Sequence, residues 1–404
     1  MAQLRWSKGE GDIEEGHRRT DLRFILLLGT VSLFADMTYE AARGITGPYL
    51  AILGASATAV GIIAGFGELI GYGLRIVSGI ISDRTHRYWA VTIAGYAINL
   101  LAVPALALAG NWPVAAILIM AERFGKAVRT PARDAMLSHA THDLGRGWGF
   151  GIHEAMDQVG AMIGPMIVAA VLAWKGSYAY GFAVLAVPAL LALTVLFVAR
   201  FTYPQPHTLE PSFQTDQAGA FRLTFWLYLA AVSCIAIGFT DYTLAAFHMK
   251  TAGIMADKWI SLLYAGAMGV DALSALVFGR LYDRKGLPTL LGIVAVSAWS
   301  APLVFLSGVG ALIVGMVLWG VGMGTQESII RAVVADIVPR DRRATGYGIF
   351  NAGFGLAWFA GSALMGILYD GRSLIALAAF SVAAQLASLP LLYFVHKRLV
   401  SESP

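Results

Sequence analysis

The chain has 404 residues, 57% of them hydrophobic and 13% charged, against about 25% charged in soluble globular proteins; that leaves too little polar surface for a water-soluble fold. The formal charge of +4 comes with no lysine- or arginine-rich run and no aromatic–basic interleaving, which argues against a nucleic-acid partner. A single cysteine, Cys234, excludes an internal disulfide and a cysteine metal cluster.

Residues 1–21 are polar and charged and lack the apolar core of a cleaved signal peptide, so a cytoplasmic N-terminal segment is expected there. Apolar runs of roughly 20 residues, the length that spans a bilayer, then predict twelve helices over 22–48, 57–81, 88–109, 113–136, 148–173, 178–199, 222–248, 258–281, 287–307, 310–335, 344–369 and 374–395. Most turns are short. The longest connection, 201–221, carries Pro204, Pro206 and Pro211 and reads as a cytoplasmic linker. It divides a six-helix bundle at 22–200 from a second at 222–396, with a cytoplasmic tail at 397–404. Of the 29 lysines and arginines, 19 fall on the side of the termini, 6 within the spans and only 4 (Lys175, Lys250, Lys258 and Arg372) in the opposite loops. The positive-inside rule then expects both termini in the cytoplasm of a multi-pass protein, here of a bacterial inner membrane.

The two bundles repeat one another. Gly79-Ile80-Ile81-Ser82-Asp83-Arg84 returns as Gly279-Arg280-Leu281-Tyr282-Asp283-Arg284. Phe34-Ala35-Asp36-Met37-Thr38 answers Phe239-Thr240-Asp241-Tyr242-Thr243, and Gly149-Phe150-Gly151-Ile152 answers Gly346-Tyr347-Gly348-Ile349. Three matches in order are the mark of internal duplication, and a duplicated membrane bundle is a transporter layout.

On these residues the chain resembles the major facilitator superfamily (MFS) over about 22–396. The turn from Gly79 through Arg87 is similar to that family's charged helix 2–3 motif, with a second copy from Gly279 through Lys285. Arg123-Phe124-Gly125 resembles its helix-4 motif. Gly160-Ala161-Met162-Ile163-Gly164-Pro165 resembles the helix-5 motif associated with proton-coupled antiporters. The resemblance implies an all-α fold of two pseudo-symmetric six-helix bundles and transport by alternating access. It also implies a cytoplasmic latch at Gly79, Asp83, Arg84, Gly279, Asp283 and Arg284 that breaks when the inside opens. A plain topology-fixing loop is the alternative for these turns.

Apart from charges at their ends, the expected spans hold nine acids and six bases: Asp36, Glu40, Arg43, Glu68, Arg75, Glu122, Arg123, Lys126, Arg129, Glu154, Asp157, Asp241, Asp271, Glu327 and Arg331. A charge at mid-bilayer costs about 2.5–3.5 kcal/mol on insertion scales, so these must face each other, a wet cavity or the membrane edge; Asp157 and Asp271 are expected near the edge. With an acid surplus, pairing cannot consume them all, and some carboxylates are expected to stay protonated. Asp36, Glu40 and Arg43 share one face of the first helix, lining a central cavity or pairing internally. Glu122, Lys126, Arg129 and Arg133 form a stripe down the fourth helix beside Arg123, fit for an anionic solute group or for internal pairing. His153, Glu154 and Asp157 answer it from the fifth helix, Glu327 and Arg331 from the tenth, and Asn351 from the eleventh offers a hydrogen bond to a solute or a neighbouring helix.

These observations point to a secondary active transporter moving a small solute, with proton-coupled efflux or antiport as the leading reading. An organic-anion exchanger or symporter is the second, and a non-transporting receptor or assembly partner on the same fold the third. No enzyme constellation, metal site or cofactor motif is legible, and a functional monomer in the lipid bilayer is expected.

Overall fold

Every hydrogen-bonding group of the backbone must be satisfied inside lipid, and helices do this within one segment. In the computed structural model, which describes residues 3–140, 146–204, 223–330, 333–334, 337–338 and 343–402, the described residues form helices and short turns and no strand. Side chains at 3–21, 83, 138–140, 146–151, 343–345 and 402 lie outside the description. The helices are α1 Gln3–Ile52, α2 Ala57–Thr85, α3 Tyr88–Leu108, α4 Trp112–Ala140, α5 Arg146–Lys175, α6 Tyr178–Thr202, α7 Leu223–Thr251, α8 Asp257–Lys285, α9 Pro288–Phe305, α10 Val309–Ile330, α11 Arg343–Asp370 and α12 Leu374–Glu402. Eleven are long and apolar enough to cross a membrane; α4 is 29 residues long but carries Glu122, Arg123, Lys126, Arg129, Arg133 and Asp134. Large apolar side chains turn outward, Leu108 and Phe201 among them, as lipid contact requires. α1 begins well before the expected span, at Gln3.

The duplication is visible in backbone stops. The turn after α1 uses Gly54 at φ +83° and the turn after α7 uses Gly253 at φ +64°. The two charged turns end at His86 (φ +52°) and Gly286 (φ +66°). Gly79 of α2 faces Pro131 of α4, and its counterpart Gly279 of α8 faces Ser328 of α10.

With the twelve helices antiparallel in turn, the start of α1, the end of α12 and both charged turns lie on one face, called here the terminal face. The halves meet along α2 and α11, α5 and α8, and α1 and α7. These seams rest on missing side chains: a Cβ on Gly61 would strike the Ser362 carbonyl, and one on Gly47 the Thr243 carbonyl. At the opposite face Asp370, ending α11, accepts the backbone N–H groups of Ala57 (2.9 Å) and Thr58 (2.8 Å) at the start of α2.

α7 is interrupted between Gly238 and Tyr242. Carbonyls freed by the break find side-chain donors. Gly238 O accepts Ser381 Oγ at 2.6 Å and Gln385 Nε2 at 3.1 Å, and Thr240 O accepts Trp319 Nε1 at 2.7 Å. Asp241 restarts the helix by accepting the Thr243 N–H at 2.8 Å, an N-cap. Interrupted helices with satisfied ends mark solute sites in membrane carriers.

Candidate transport site

Between the halves lies a cavity of about 560 Å³, running from mid-membrane toward the terminal face. Helical spacing sets its walls. α1 gives Asp36, Tyr39, Glu40 and Arg43; α2 gives Glu68, Tyr72 and Arg75; α4 gives Arg123, Lys126, Arg129, Arg133 and Asp134; α5 gives His153, Glu154 and Asp157. The C-terminal half contributes Met268, Asp271 and Ala275 from α8 and Met323, Glu327 and Ser328 from α10.

The floor is an ion-pair chain. Arg43 reaches Glu68 on α2 at 3.2 Å and Asp241 on α7 at 3.3 Å. Glu68 also takes Arg123 at 3.1 Å, and Arg123 holds Glu122 at 3.2 Å. Glu122 in turn accepts Asn99 Nδ2 at 2.9 Å. A second crossing between halves is the hydrogen bond from Tyr264 to Glu40. Buried charges of this kind are tolerable only when mutually paired.

The α4 stripe is largely engaged. Lys126 lies 3.8 Å from Glu40 and 3.9 Å over the Tyr39 ring. Arg129 is 1% exposed, with its guanidinium carbon 4.2 Å over Tyr96. Arg133 pairs with Asp134 at 2.8 Å and donates to Ser32 Oγ at 3.1 Å. Ser32 Oγ lies 3.0 Å from His153 Nε2, and His153 Nδ1 is 3.3 Å from Asp157. Because an ionised Asp157 can only accept, we assign the ring proton to Nδ1, facing Asp157, which leaves Nε2 to accept from the Ser32 hydroxyl.

The carboxylates are less fully matched. Asp36 accepts from the Tyr39 hydroxyl, and Asp157 keeps one oxygen without a partner. Asp271 corrects the sequence expectation most sharply. Expected near a helix end, it is the midpoint of Asp257–Lys285, 2% exposed, and its Oδ1 has no hydrogen-bond partner. Gly324 opposite makes room, since a Cβ there would lie 2.7 Å from that oxygen. Asp157 is likewise an inner cavity residue, 11 positions inside α5, which starts at Arg146. Tallying residues from the span ends would have located both.

The remaining expected residues fall around the cavity. Glu122 sits beneath it, in a minor pocket with Arg43 and Arg123, and Asp241 is buried in the floor pair. Asn351 lines a side pocket with Tyr72, Glu327, Phe350, Phe354 and Trp358. Gly160 and Gly164 abut the α1 backbone at Leu33 and Met37, and Pro165 O accepts Ser261 Oγ of α8 at 2.8 Å. Arg84, Asp283 and Arg284 are exposed. Arg331 and the Asp83 side chain lie outside the described residues. Arg75 and Tyr39 line the cavity and Tyr264 donates to Glu40 at its floor, and charge counting alone did not single these out as site residues; His153, which lines it too, was expected beside Glu154 and Asp157.

Twelve helices in two related halves around a charged cavity define a secondary transporter. The chain belongs to the Major Facilitator Superfamily, whose model matches residues 27–362 and 259–404. It is 43% identical over 390 residues to an uncharacterized protein of Mycobacterium tuberculosis, covering 94% of this chain and 95% of the relative. It is 25% identical over 380 residues to an uncharacterized MFS-type transporter of Methanocaldococcus jannaschii, covering 91% and 94%. Among solved structures, a variant of the nucleoside transporter NupG matches with a TM-score of 0.74 at 12% identity, covering 91% of this chain and 99% of that one; at that identity the likeness concerns the fold.

Proposed function

We propose that this transporter couples solute movement to protons, as an antiporter in a bacterial inner membrane. Both termini and the 201–221 linker between the six-helix halves are then cytoplasmic, the cavity opens toward the cytoplasm, and the monomer is the working unit. One observation carries the coupling: Asp271 lines the cavity as a buried carboxylate with an oxygen that meets no donor. A carboxylate in that position can be neutralised either by a proton or by cargo, which makes the two compete. The organic-anion reading is the second choice: Arg123, Lys126 and Arg133 are each held by an acid, and Arg129, with two nitrogens lacking a hydrogen-bond partner, is the base that would serve it.

Proteoliposomes containing the pH dye pyranine test the reading. Under an imposed pH gradient, a transported solute should discharge the gradient through wild-type protein and fail to do so through Asp271→Asn. Solute flux that proceeds unchanged with no proton movement would refute coupling.

A further inference from the structure

The two walls of the cavity differ in charge. The N-terminal half supplies every described basic lining residue, and most of these are already paired. The C-terminal half supplies Asp271 and Glu327 and no base among its described lining residues. Asp271 is 2% exposed with a partnerless oxygen, and Glu327 lines the same cavity one helix away on α10. Glu154 faces it from α5, the neighbouring helix of the other half. Three carboxylates, from α5, α8 and α10, thus line one cavity.

Glu327 also lines a second space. Beyond it lie Tyr72, Phe350, Phe354 and Trp358. The Tyr72 and Phe354 rings meet edge-on at 5.3 Å, and Phe354 and Trp358 are 5.6 Å apart. Trp358 is 2% exposed, and its indole N–H has no partner. That second space is only about 20 Å³, so the rings stand behind the shared glutamate as an aromatic backing to the acidic wall, with Tyr72 reaching the main cavity itself. Such a wall offers a charge pair to an ammonium and an apolar, π-rich flank to the rest of the molecule.

We propose that the cargo is an organic cation. Its ammonium group lies among Asp271, Glu327 and Glu154, and its apolar portion lies toward Tyr72, Phe354 and Trp358. The proposal rests on the reading of this cavity as the transport site and adds the chemical class of solute and the residues that select it.

The test is thermal-shift titration of the purified full chain with three probes of similar size: benzyltrimethylammonium, phenethylammonium and 3-phenylpropionate. Both cations should stabilise the protein saturably and the anion should not. Asp271→Asn should weaken cation binding about tenfold or more, the scale of one lost charge-assisted contact, whereas Asp271→Glu should keep most of it. Glu327→Gln provides an independent variant should the Asp271 substitution unfold the protein. Stabilisation by the anion alone, or by none of the probes, overturns the proposal, as does cation binding that survives both Asp271→Asn and Glu327→Gln unchanged. Pyranine-loaded proteoliposomes separate this from the coupling reading. Benzyltrimethylammonium that is carried through wild-type protein, and not through Asp271→Asn, but moves no protons refutes coupling and leaves the cation site intact. Proton movement driven by 3-phenylpropionate in excess of that in protein-free liposomes refutes the cation site and leaves coupling intact.

Discussion

Arg43 and Asp241, 3.3 Å apart, tie α1 to α7 at the cavity floor, and the tie is asymmetric with respect to the repeat. The position that matches Asp241 in the first half is Asp36. Asp36 faces the cavity and accepts a hydrogen bond from Tyr39; Asp241 caps a broken helix and grips the other half. Duplication gave two aspartates, and the break in α7 gave one of them a different task. Asp241→Asn keeps a good cap and loses the ion pair, while Asp241→Ala loses both. The alanine variant should therefore be less stable than the asparagine variant by about 1 kcal/mol, read as a lower melting temperature in nanodiscs.

The Asp370 carboxylate holds the opposite face shut by accepting two N–H groups from the start of α2. Carboxylates are favoured at helix N-termini by both hydrogen bonding and the helix dipole. Asp370→Ala should weaken this closure by about 1 kcal/mol, roughly fivefold in the population open at that face. Ser362 is 1% exposed on the α2–α11 seam, so Ser362→Cys in a Cys234→Ser background gives a single thiol that reports opening. That thiol should react about fivefold faster with maleimide once Asp370→Ala is added, by the same population ratio. An unchanged rate would show that Asp370 is not part of the closure.

Hydropathy and charge placed most helix ends within a few residues, except the start of α1 and the end of α12, which run on beyond their apolar spans. Lipid imposes one length and one polarity on every span, and the repeated turn exposed the two halves. The pairing of charges was harder to read. Spacing put Glu40 and Arg43 on one face, yet Arg43 chooses Glu68 and Asp241 while Glu40 takes Lys126 and Tyr264. Helical periodicity fixes which way a side chain points around its own axis. It does not fix the height of neighbouring helices, and height decides which opposite charge is in reach. Asp271 was misjudged for the related reason that depth depends on both helix ends.

Gly324 supports the cation site through its lack of a side chain. A Cβ there would lie 2.7 Å from the Asp271 carboxylate oxygen and nearer still to the Asp271 carbonyl. Gly324→Ala should force α10 and α8 apart, at a cost of about 1–3 kcal/mol for overpacking, and lower benzyltrimethylammonium affinity in titration. Gly292, where a Cβ meets nothing within 4 Å, is the matched control, and Gly292→Ala should leave affinity unchanged.

Two bonds cross the cavity floor one helical turn apart, Arg43 to Asp241 and Tyr264 to Glu40. They share surroundings: the Tyr264 ring lies 4.3 Å from that of Tyr242, the residue after Asp241. If the floor opens as one unit, breaking either bond already loosens the other. Tyr264→Phe combined with Asp241→Asn should then perturb opening by less than the sum of the single variants, with a coupling of about 0.5–3 kcal/mol, as for residues in one network. The maleimide rate of the Ser362→Cys reporter measures opening in the parent, both single variants and the double variant. Additivity within about 0.5 kcal/mol, the behaviour of independent sites, would mean that the halves separate through two unconnected latches, and that α1 can release α7 while still holding α8.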